Sequence, residues 1–85
     1  MPKDLYKLAI STAPTVEVAR QIGTALVKKQ IAACVNVLPT GESIYQWEGE
    51  LKSDTECVLL IKTTTANVAR VEAELQEMHL SLIHI

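Results

Sequence analysis

The chain has 85 residues and a mass of 9.3 kDa, so we predict one domain spanning residues 1–85. Ten acidic and eight basic side chains give a net charge of −2, and the longest basic run is Lys28-Lys29. Nucleic-acid binding requires a patch that neutralises phosphates, so this composition excludes a dedicated nucleic-acid binder. No apolar stretch approaches the roughly 20 residues of a membrane span, which excludes direct membrane insertion.

The cysteine content and the N-terminus indicate the cellular environment. Cys34 and Cys57 are too few for a disulfide framework. The first residues carry charge, but no apolar segment follows them, so we expect no signal peptide. The prediction is a reduced, cytoplasmic protein.

The first half of the chain predicts a strand, a helix and a second strand. Apolar residues alternate with polar or small ones over residues 5–12, which predicts a strand. Thr15 can cap a helix that runs to about Gln30, with apolar residues at three- and four-residue spacing and Gly23 at a point of close packing. Residues 31–38 are apolar and rich in β-branched side chains, which predicts a strand that ends or kinks at Pro39.

The second half continues with a hairpin, a helix and a short tail. Extended structure resumes at residues 44–47, and a hairpin tip is expected within residues 48–54, where Ser53 and Asp54 are turn formers. Residues 56–63 form the clearest strand, Thr64 or Thr65 can cap a second helix, and residues 80–85 can form a last strand. This order predicts an α+β, ferredoxin-like split βαβ sandwich, an antiparallel sheet with two helices on one face.

Both faces of the central strands are apolar. Along residues 56–63, Leu59 and Ile61 point to one side, whereas Val58 and Leu60 point to the other. A sheet that is covered on one face should alternate apolar and polar residues. Two helices cover only one face, so we expect further copies of the chain to cover the second face in an obligate oligomer.

The candidate metal ligands are dispersed along the chain. Cys34, Cys57 and His79 are soft or borderline ligands, but none has the spacing of a local metal motif. The cysteines also fit small hydrophobic residues of buried strands, and His79 fits a cation at the C-terminal end of a helix. A site built from Cys34 and His79 would have to be assembled by the fold or between subunits.

Several other residues allow both a functional and a structural interpretation. Lys62 ends an apolar strand, where it can extend to solvent or anchor an anion. Tyr45 and Trp47 share one face of the hairpin and fit either an interface anchor or core packing. Glu48 lies beside a predicted turn, where a solvent-exposed charge is the structural interpretation. No catalytic residue is assigned, because no constellation of nucleophile and base is visible.

Five segments follow a recognisable order and spacing between about Leu5 and His79. They are Ser11–Pro14 with Ala19–Ile22, Ile31–Pro39, Ser43–Gly49 and Leu60–Thr64. Together they make the chain similar to the CutA divalent-cation-tolerance family, and the segments around residues 32–36 and 44–49 are the most specific.

The resemblance implies a ferredoxin-like subunit in a homotrimer, similar in architecture to the PII signalling proteins. It implies binding of copper or a related divalent metal ion, a part in divalent-cation tolerance, and no catalytic reaction. It puts Cys34 and His79 near an inter-subunit cleft as metal ligands, with Trp47, Glu48 and Lys62 as further cleft residues. A role in anchoring acetylcholinesterase follows only by analogy with animal relatives.

The last residues depart from the family pattern. The family continues its histidine with Pro-Tyr-Glu and a further strand, whereas here Leu80 follows His79. We therefore expect a truncated or divergent C-terminal part and a cleft without its closing Tyr and Glu. This difference should affect metal binding more than the fold.

Two other functions remain as alternatives to a non-enzymatic, trimeric metal-binding protein. A PII-like module would sense a small anion in the cleft, with Lys62 and Arg20 as its cationic groups. An acylphosphatase-like enzyme would share the fold, but the chain lacks a glycine-rich anion loop with a nearby arginine, and fold analogy is a weak argument.

Overall fold

The computed structural model describes residues 5–78 and 82–84. Its strands are β1 (Tyr6–Ala13), β2 (Cys34–Trp47), β3 (Glu50–Thr64) and β4 (Leu82–His84). Helix α1 spans Val16–Lys28 and helix α2 spans Val68–Glu77, after a 3₁₀ turn at Thr65–Asn67. The order of helices and strands, including the final strand, agrees with the prediction.

The four strands form one antiparallel sheet in the order β2-β3-β1-β4. Helix α1 connects β1 to β2, which lie on either side of β3. Helix α2 likewise connects β3 to β4, which lie on either side of β1. This is the ferredoxin-like split βαβ arrangement that the sequence predicts. Neither described helix has the length and apolar composition that a membrane crossing requires.

Helix α1 begins and packs as its sequence predicts. The Thr15 hydroxyl accepts a hydrogen bond from the Val18 N–H at 3.1 Å, which satisfies one free donor of the first turn. Gly23 allows the helix to approach β2 closely, because a Cβ at that position would lie 3.2 Å from Val35 Cγ1. The buried inner face of the helix consists of Ala19, Ile22, Gly23 and Leu26.

The core lies between the two helices and one face of the sheet. From Ala9 onwards, every second residue of β1, and of the part of β3 that pairs with it, points towards the helices and is buried. Helices α1 and α2 each contribute one apolar stripe to the same core. The largest fully buried apolar side chains are Ile22, Leu26, Leu59, Ile61, Val71 and Leu75.

The hairpin tip is shorter than predicted. Glu48 and Gly49 have φ angles of 53° and 80° and form a two-residue turn, so that β3 begins at Glu50. A two-residue turn with positive φ angles matches the twist of the flanking strands. Ser53 and Asp54 were expected in the turn, but they are strand residues whose side chains bond across the hairpin.

Two other predicted boundaries are wrong. Strand β2 begins at Cys34 rather than at residue 31, because the N–H groups of Ile31 and Ala32 bond to the Leu26 carbonyl and complete the end of α1. The second helix has no side-chain cap from Thr64, since the 3₁₀ turn separates this residue from α2.

Candidate functional site

The sheet face opposite the helices is apolar and carries no covering layer among the described residues. We term it the open face. At its centre Ile10 of β1 lies opposite Leu60 of β3, and Val58 lies opposite Leu38 of β2. Ile10, Leu60 and Val58 are half-buried, while Leu38 is 42% exposed. The chain therefore has the second apolar face that its strand pattern predicts.

Cys34 and Lys62 lie at one end of the open face. They are directly opposite each other in the register of β2 and β3, and both are exposed. The interpretation of Cys34 as a buried hydrophobic residue is wrong, because its side chain is on the face that no helix covers. Cys57 is on the inward face of β3 and only 2% exposed, as expected for a core residue.

Beyond the helices, β2 and β3 continue as a hairpin of residues 41–56, which we term the arm. No residue of the arm is buried, and the long axis of the molecule measures 44 Å against 26 and 21 Å for the others. Tyr45 and Trp47 share the side of the arm that continues the open face. Trp47 is 61% exposed, so core packing within the chain does not explain these aromatic residues.

Hydroxyl groups bond to carboxylates across the arm. The Tyr45 hydroxyl donates to Asp54 Oδ2 at 2.5 Å, and the Ser43 hydroxyl donates to Glu56 Oε2 at 2.7 Å. The hydrogen bond to Asp54 raises the pKa of the Tyr45 phenol above its ordinary value, with smaller contributions from desolvation and from the acidic charges nearby. The arm contains five acidic residues and one lysine.

The predicted cleft residues do not converge within one chain. Trp47 pairs with Glu50, twelve positions before Lys62 on β3. At about 3.3 Å per residue, the tip of the arm is about 40 Å from the Cys34 end of the open face. Glu48 is at that tip, and His79 lies outside the described residues. Only a second copy of the chain could therefore bring the tip close to Cys34 and Lys62.

The geometry also limits the metal and anion sites of a single chain. Among the described residues, no three His, Cys, Asp or Glu side chains form a group that could hold a metal ion. Arg20 is on α1 and Lys62 is on the open face, so the sheet separates the two cations that the anion-sensing alternative relies on.

The sequence analysis missed the surroundings of Lys62. Tyr6, Lys7 and Leu8 of β1 line a groove of about 460 Å³ together with Lys62. The alternation of residues along β1 already indicates that Tyr6 and Leu8 share one face of the sheet. The sequence alone does not show that this face meets Lys62, because that follows from the pairing of β1 with β3, in which Leu8 is directly opposite Lys62.

The model of the CutA1 divalent ion tolerance protein family matches residues 7–82 of the chain. The chain belongs to the CutA1 family. The CutA divalent-cation tolerance protein of Thermus thermophilus is 42% identical over 75 residues, which are 88% of this chain and 73% of that relative. A CutA homolog of Xenopus laevis is 42% identical over 71 residues, or 84% of this chain. The chain spans about half the length of this vertebrate relative, with 47% covered.

Solved CutA structures share the fold. The CutA1 structure from Thermus thermophilus has a TM-score of 0.85 at 36% identity, covering 95% of this chain and 82% of that one. A structure of CutA from Nostoc, described as a PII-like protein in apo form, has a TM-score of 0.75 at 32% identity and covers 93% of this chain and 80% of its own. These likenesses agree with the ferredoxin-like fold that the CutA1 resemblance predicts.

Proposed function

We propose that this CutA1 chain forms a homotrimer that binds a copper-type or other divalent metal ion and serves divalent-cation tolerance without catalysing a reaction. The observation that carries the proposal is the open face, an apolar sheet surface that the two helices of the chain leave uncovered. The exposed thiol of Cys34 lies on this same face.

Self-association is supported by the surface that one chain leaves exposed. The chain has 5914 Å² of accessible surface, whereas a compact monomer of this mass has about 5,000 Å². The arm contributes to this excess with exposed Ile44, Trp47 and Leu51. A two-stranded hairpin without a covering layer is marginal in water, so the arm needs a surface to pack on. Copies of the chain that cover one another's open faces supply such a surface.

Metal binding is supported by the chemistry of Cys34 and by membership of the family. A thiolate is a soft donor that suits copper and zinc, and Cys34 is exposed to an incoming ion. One thiolate does not make a site, and the described part of the chain adds no local group of ligands. The proposed ligand set is therefore completed by His79 or by a second copy.

We propose no catalytic role for the polar groups of the arm. The hydroxyl–carboxylate pairs of the arm, such as Ser53 with Glu42, are exposed cross-strand hydrogen bonds, and we assign them a structural role. We propose a cytoplasmic location, in line with two free cysteines. Fractionation of expressing cells tests this location, which a protein found only outside the cytoplasm would contradict.

Calorimetric titration of the assembled protein with zinc and with copper(I) under anaerobic conditions tests the metal site. We expect Cys34→Ala and His79→Ala each to weaken binding by about tenfold or more, the effect of losing about 1.4 kcal/mol. Cys57→Ala is the matched control, since it removes a thiol from the core, and should bind as the wild type does. Unchanged binding in both ligand variants would remove Cys34 and His79 from the site.

The position of the arm tip is testable by energy transfer, because Trp47 is the single tryptophan. A Cys57→Ala chain labelled at Cys34 with the dansyl-type acceptor AEDANS carries donor and acceptor about 40 Å apart along the strands. This separation is too large for strong transfer within the chain. We expect strong quenching of Trp47 in the assembly, where the tip of another copy approaches the label. Quenching that is equal in assembled and dissociated protein would contradict a shared cleft.

An anion-sensing module similar to PII proteins is the second candidate. It is favoured by the likeness to the PII-like CutA from Nostoc and by the exposed ammonium group of Lys62. Arg20 is not part of this proposed anion site, because it lies on α1, on the opposite side of the sheet from Lys62. Thermal shift measurements with nucleotides and common metabolites test this function, and no shift across the panel would argue against it.

A further inference from the structure

A groove on the helix side of the sheet runs between α1 and β2, and we term it the α1–β2 groove. Helix and strand line it with Arg20, Thr24, Val27, Lys28, Val35 and Val37. Its volume of about 420 Å³ is within the range of ligand pockets. The open face is on the other side of the sheet, so copies of the chain that cover the open face leave this groove accessible.

The walls of the groove are regular secondary structure. The lining residues of α1 recur at three- and four-residue spacing, which puts them on one face of the helix. Val35 and Val37 alternate along β2 with residues of the open face. Helix and strand touch at the floor, because a Cβ at Gly23 would lie 3.2 Å from Val35 Cγ1. The shape of the groove is therefore set by packing and not by a loose loop.

The two cations of the groove lack counter-ions. Within residues 5–78, neither Arg20 nor Lys28 forms an ion pair, and no acidic residue lines the groove. The adjacent Lys29, by contrast, pairs with Glu74 at 3.0 Å. An anionic ligand in the groove would therefore meet two exposed cations that no carboxylate of the described chain occupies.

The charges stand at the two ends of an apolar surface. Arg20 and Lys28 are eight positions apart on α1, which at about 1.5 Å per residue is about 12 Å along the helix axis. Val27, which is 43% exposed, lies between them and faces the valines of β2. A compact anion would leave most of this apolar surface uncovered. An extended ligand with an acid at each end would cover it and pair with both cations.

We propose that the α1–β2 groove binds a linear dicarboxylate, whose two acid groups pair with Arg20 and Lys28 and whose hydrocarbon chain lies on the valines between them. The guanidinium group can hold one carboxylate through two hydrogen bonds, and the ammonium group holds the other as a point charge. The site shares no residue with the predicted metal site or cleft, so the proposal goes beyond the proposed function and does not depend on it.

Three probes that differ in charge and length test the proposal on the full, assembled chain. Nonanedioate, its monomethyl ester and the shorter glutarate are titrated into ¹⁵N-labelled protein, and amide chemical shifts are followed. We expect nonanedioate to shift the amides of Gly23, Thr24 and Val35 to saturation. The monomethyl ester should bind at least about threefold more weakly, because one of its ends carries no charge. Glutarate should show a similar loss, because it is too short to reach both cations across the valines.

Variants of the two cations complete the test. Arg20→Gln and Lys28→Gln should each weaken nonanedioate binding at least about threefold, and Lys28→Arg should retain it within about twofold. In Lys28→Gln, nonanedioate and its monomethyl ester should bind alike, because only one cation remains. Arg70→Gln is the matched control; it removes an exposed cation on α2, outside the groove, and should leave binding unchanged.

Four results would each overturn the proposal. They are the absence of saturable shifts at about 10 mM nonanedioate, equal binding of the diacid and the monoester to the wild type, unchanged binding in either glutamine variant of the groove, and shifts confined to the open face around Cys34 and Lys62. Circular dichroism and light scattering of the same samples show that each variant keeps the fold and the assembly of the wild type.

Discussion

Ile10 of β1 and Leu60 of β3 lie directly opposite each other on the open face, and both are half-buried within a single chain. Cross-strand pairs of β-branched and large aliphatic residues stabilise a sheet most when their outer surfaces are also covered. The pair lies at the centre of an apolar surface that also includes Val58 and Leu38. Burial of this surface by other copies should therefore be sensitive to a charge at either position.

Leu60→Glu should dissociate the oligomer. A carboxylate enclosed in an apolar interface costs several kcal/mol, whereas the helix-side core is on the opposite face of β3 and stays intact. Light scattering should give about three times 9.3 kDa for the wild type and the mass of one chain for the variant. Gln21→Glu, on the exposed side of α1, is the control and should keep the wild-type mass. A wild-type chain that is monomeric at micromolar concentration, or an intact Leu60→Glu oligomer, would contradict the prediction.

Gln30→Gly should stabilise the chain. Gln30 has a φ of 59° where the chain leaves α1, a conformation that costs roughly 1 kcal/mol or more for residues other than glycine. Its N–H bonds to the Val27 carbonyl at 3.0 Å, and the Ile31 N–H bonds to the Leu26 carbonyl at 2.9 Å. This pattern is a Schellman motif, which strongly favours glycine at the position of Gln30.

We expect Gln30→Gly to raise the free energy of unfolding by about 0.5 kcal/mol, since the greater freedom of glycine in the unfolded chain offsets part of the gain. Urea denaturation at fixed protein concentration measures the change. Gln30→Ala is the control, because alanine retains the Cβ that disfavours this φ, and it should give no gain. A loss of stability in Gln30→Gly would show that the glutamine side chain itself stabilises this helix end.

Gly41→Ala should destabilise the hairpin. A Cβ at Gly41 would lie 2.7 Å from Val58 Cγ2 and 3.1 Å from the Glu56 carbonyl oxygen, at the irregularity in register between Leu38 and Gly41. Overpacking of this kind costs about 1–3 kcal/mol. Val58→Ala removes the closer contact, so Gly41→Ala should cost less in that background, as a double-mutant cycle would show. Equal costs in both backgrounds would mean that the clash with Val58 is relieved in some other way.

The fold of this chain was predictable because short-range patterns determine it. Alternation in β1, the Thr15 cap and the apolar run up to Leu38 each specify one local structure, and the order of these structures leaves few topologies. The hairpin tip was predicted less well. Ser53 and Asp54 favour turns by composition, but here the pairing of β2 with β3 extends past them and their side chains accept or donate cross-strand bonds.

The candidate site was less predictable, because it depends on which residues are neighbours across strands. Cys34 lies within an apolar run of the sequence, which favours a buried position. Its side chain is exposed because it points to the face of the sheet that no helix covers. The distance from Trp47 to Lys62 was not predictable, because the sequence did not show that β3 runs without a break from the tip of the arm to Lys62. The groove beside Lys62 required the register of β1 on β3. Tertiary pairing determines each of these properties.

Tyr45 should titrate at higher pH than an ordinary tyrosine. Its hydroxyl donates to Asp54, and deprotonation would both break this hydrogen bond and place a phenolate beside a carboxylate. The pKa of Tyr45 in the folded chain is therefore raised above the ordinary value of about 10. Its stabilising contribution is complete below the unfolded pKa and is lost as the pH rises through the raised folded pKa.

The ultraviolet absorbance of tyrosinate measures this titration, and the difference between wild type and Tyr45→Phe isolates Tyr45 from Tyr6. Asp54→Asn should return the midpoint of Tyr45 towards the ordinary value, because an amide oxygen accepts a weaker hydrogen bond than a carboxylate does and the amide carries no charge. Glu50→Gln is the control, because it removes a charge from the same strand that does not contribute to the raised pKa of Tyr45. Equal midpoints in the wild type and in Asp54→Asn would show that Asp54 does not govern the ionisation of Tyr45.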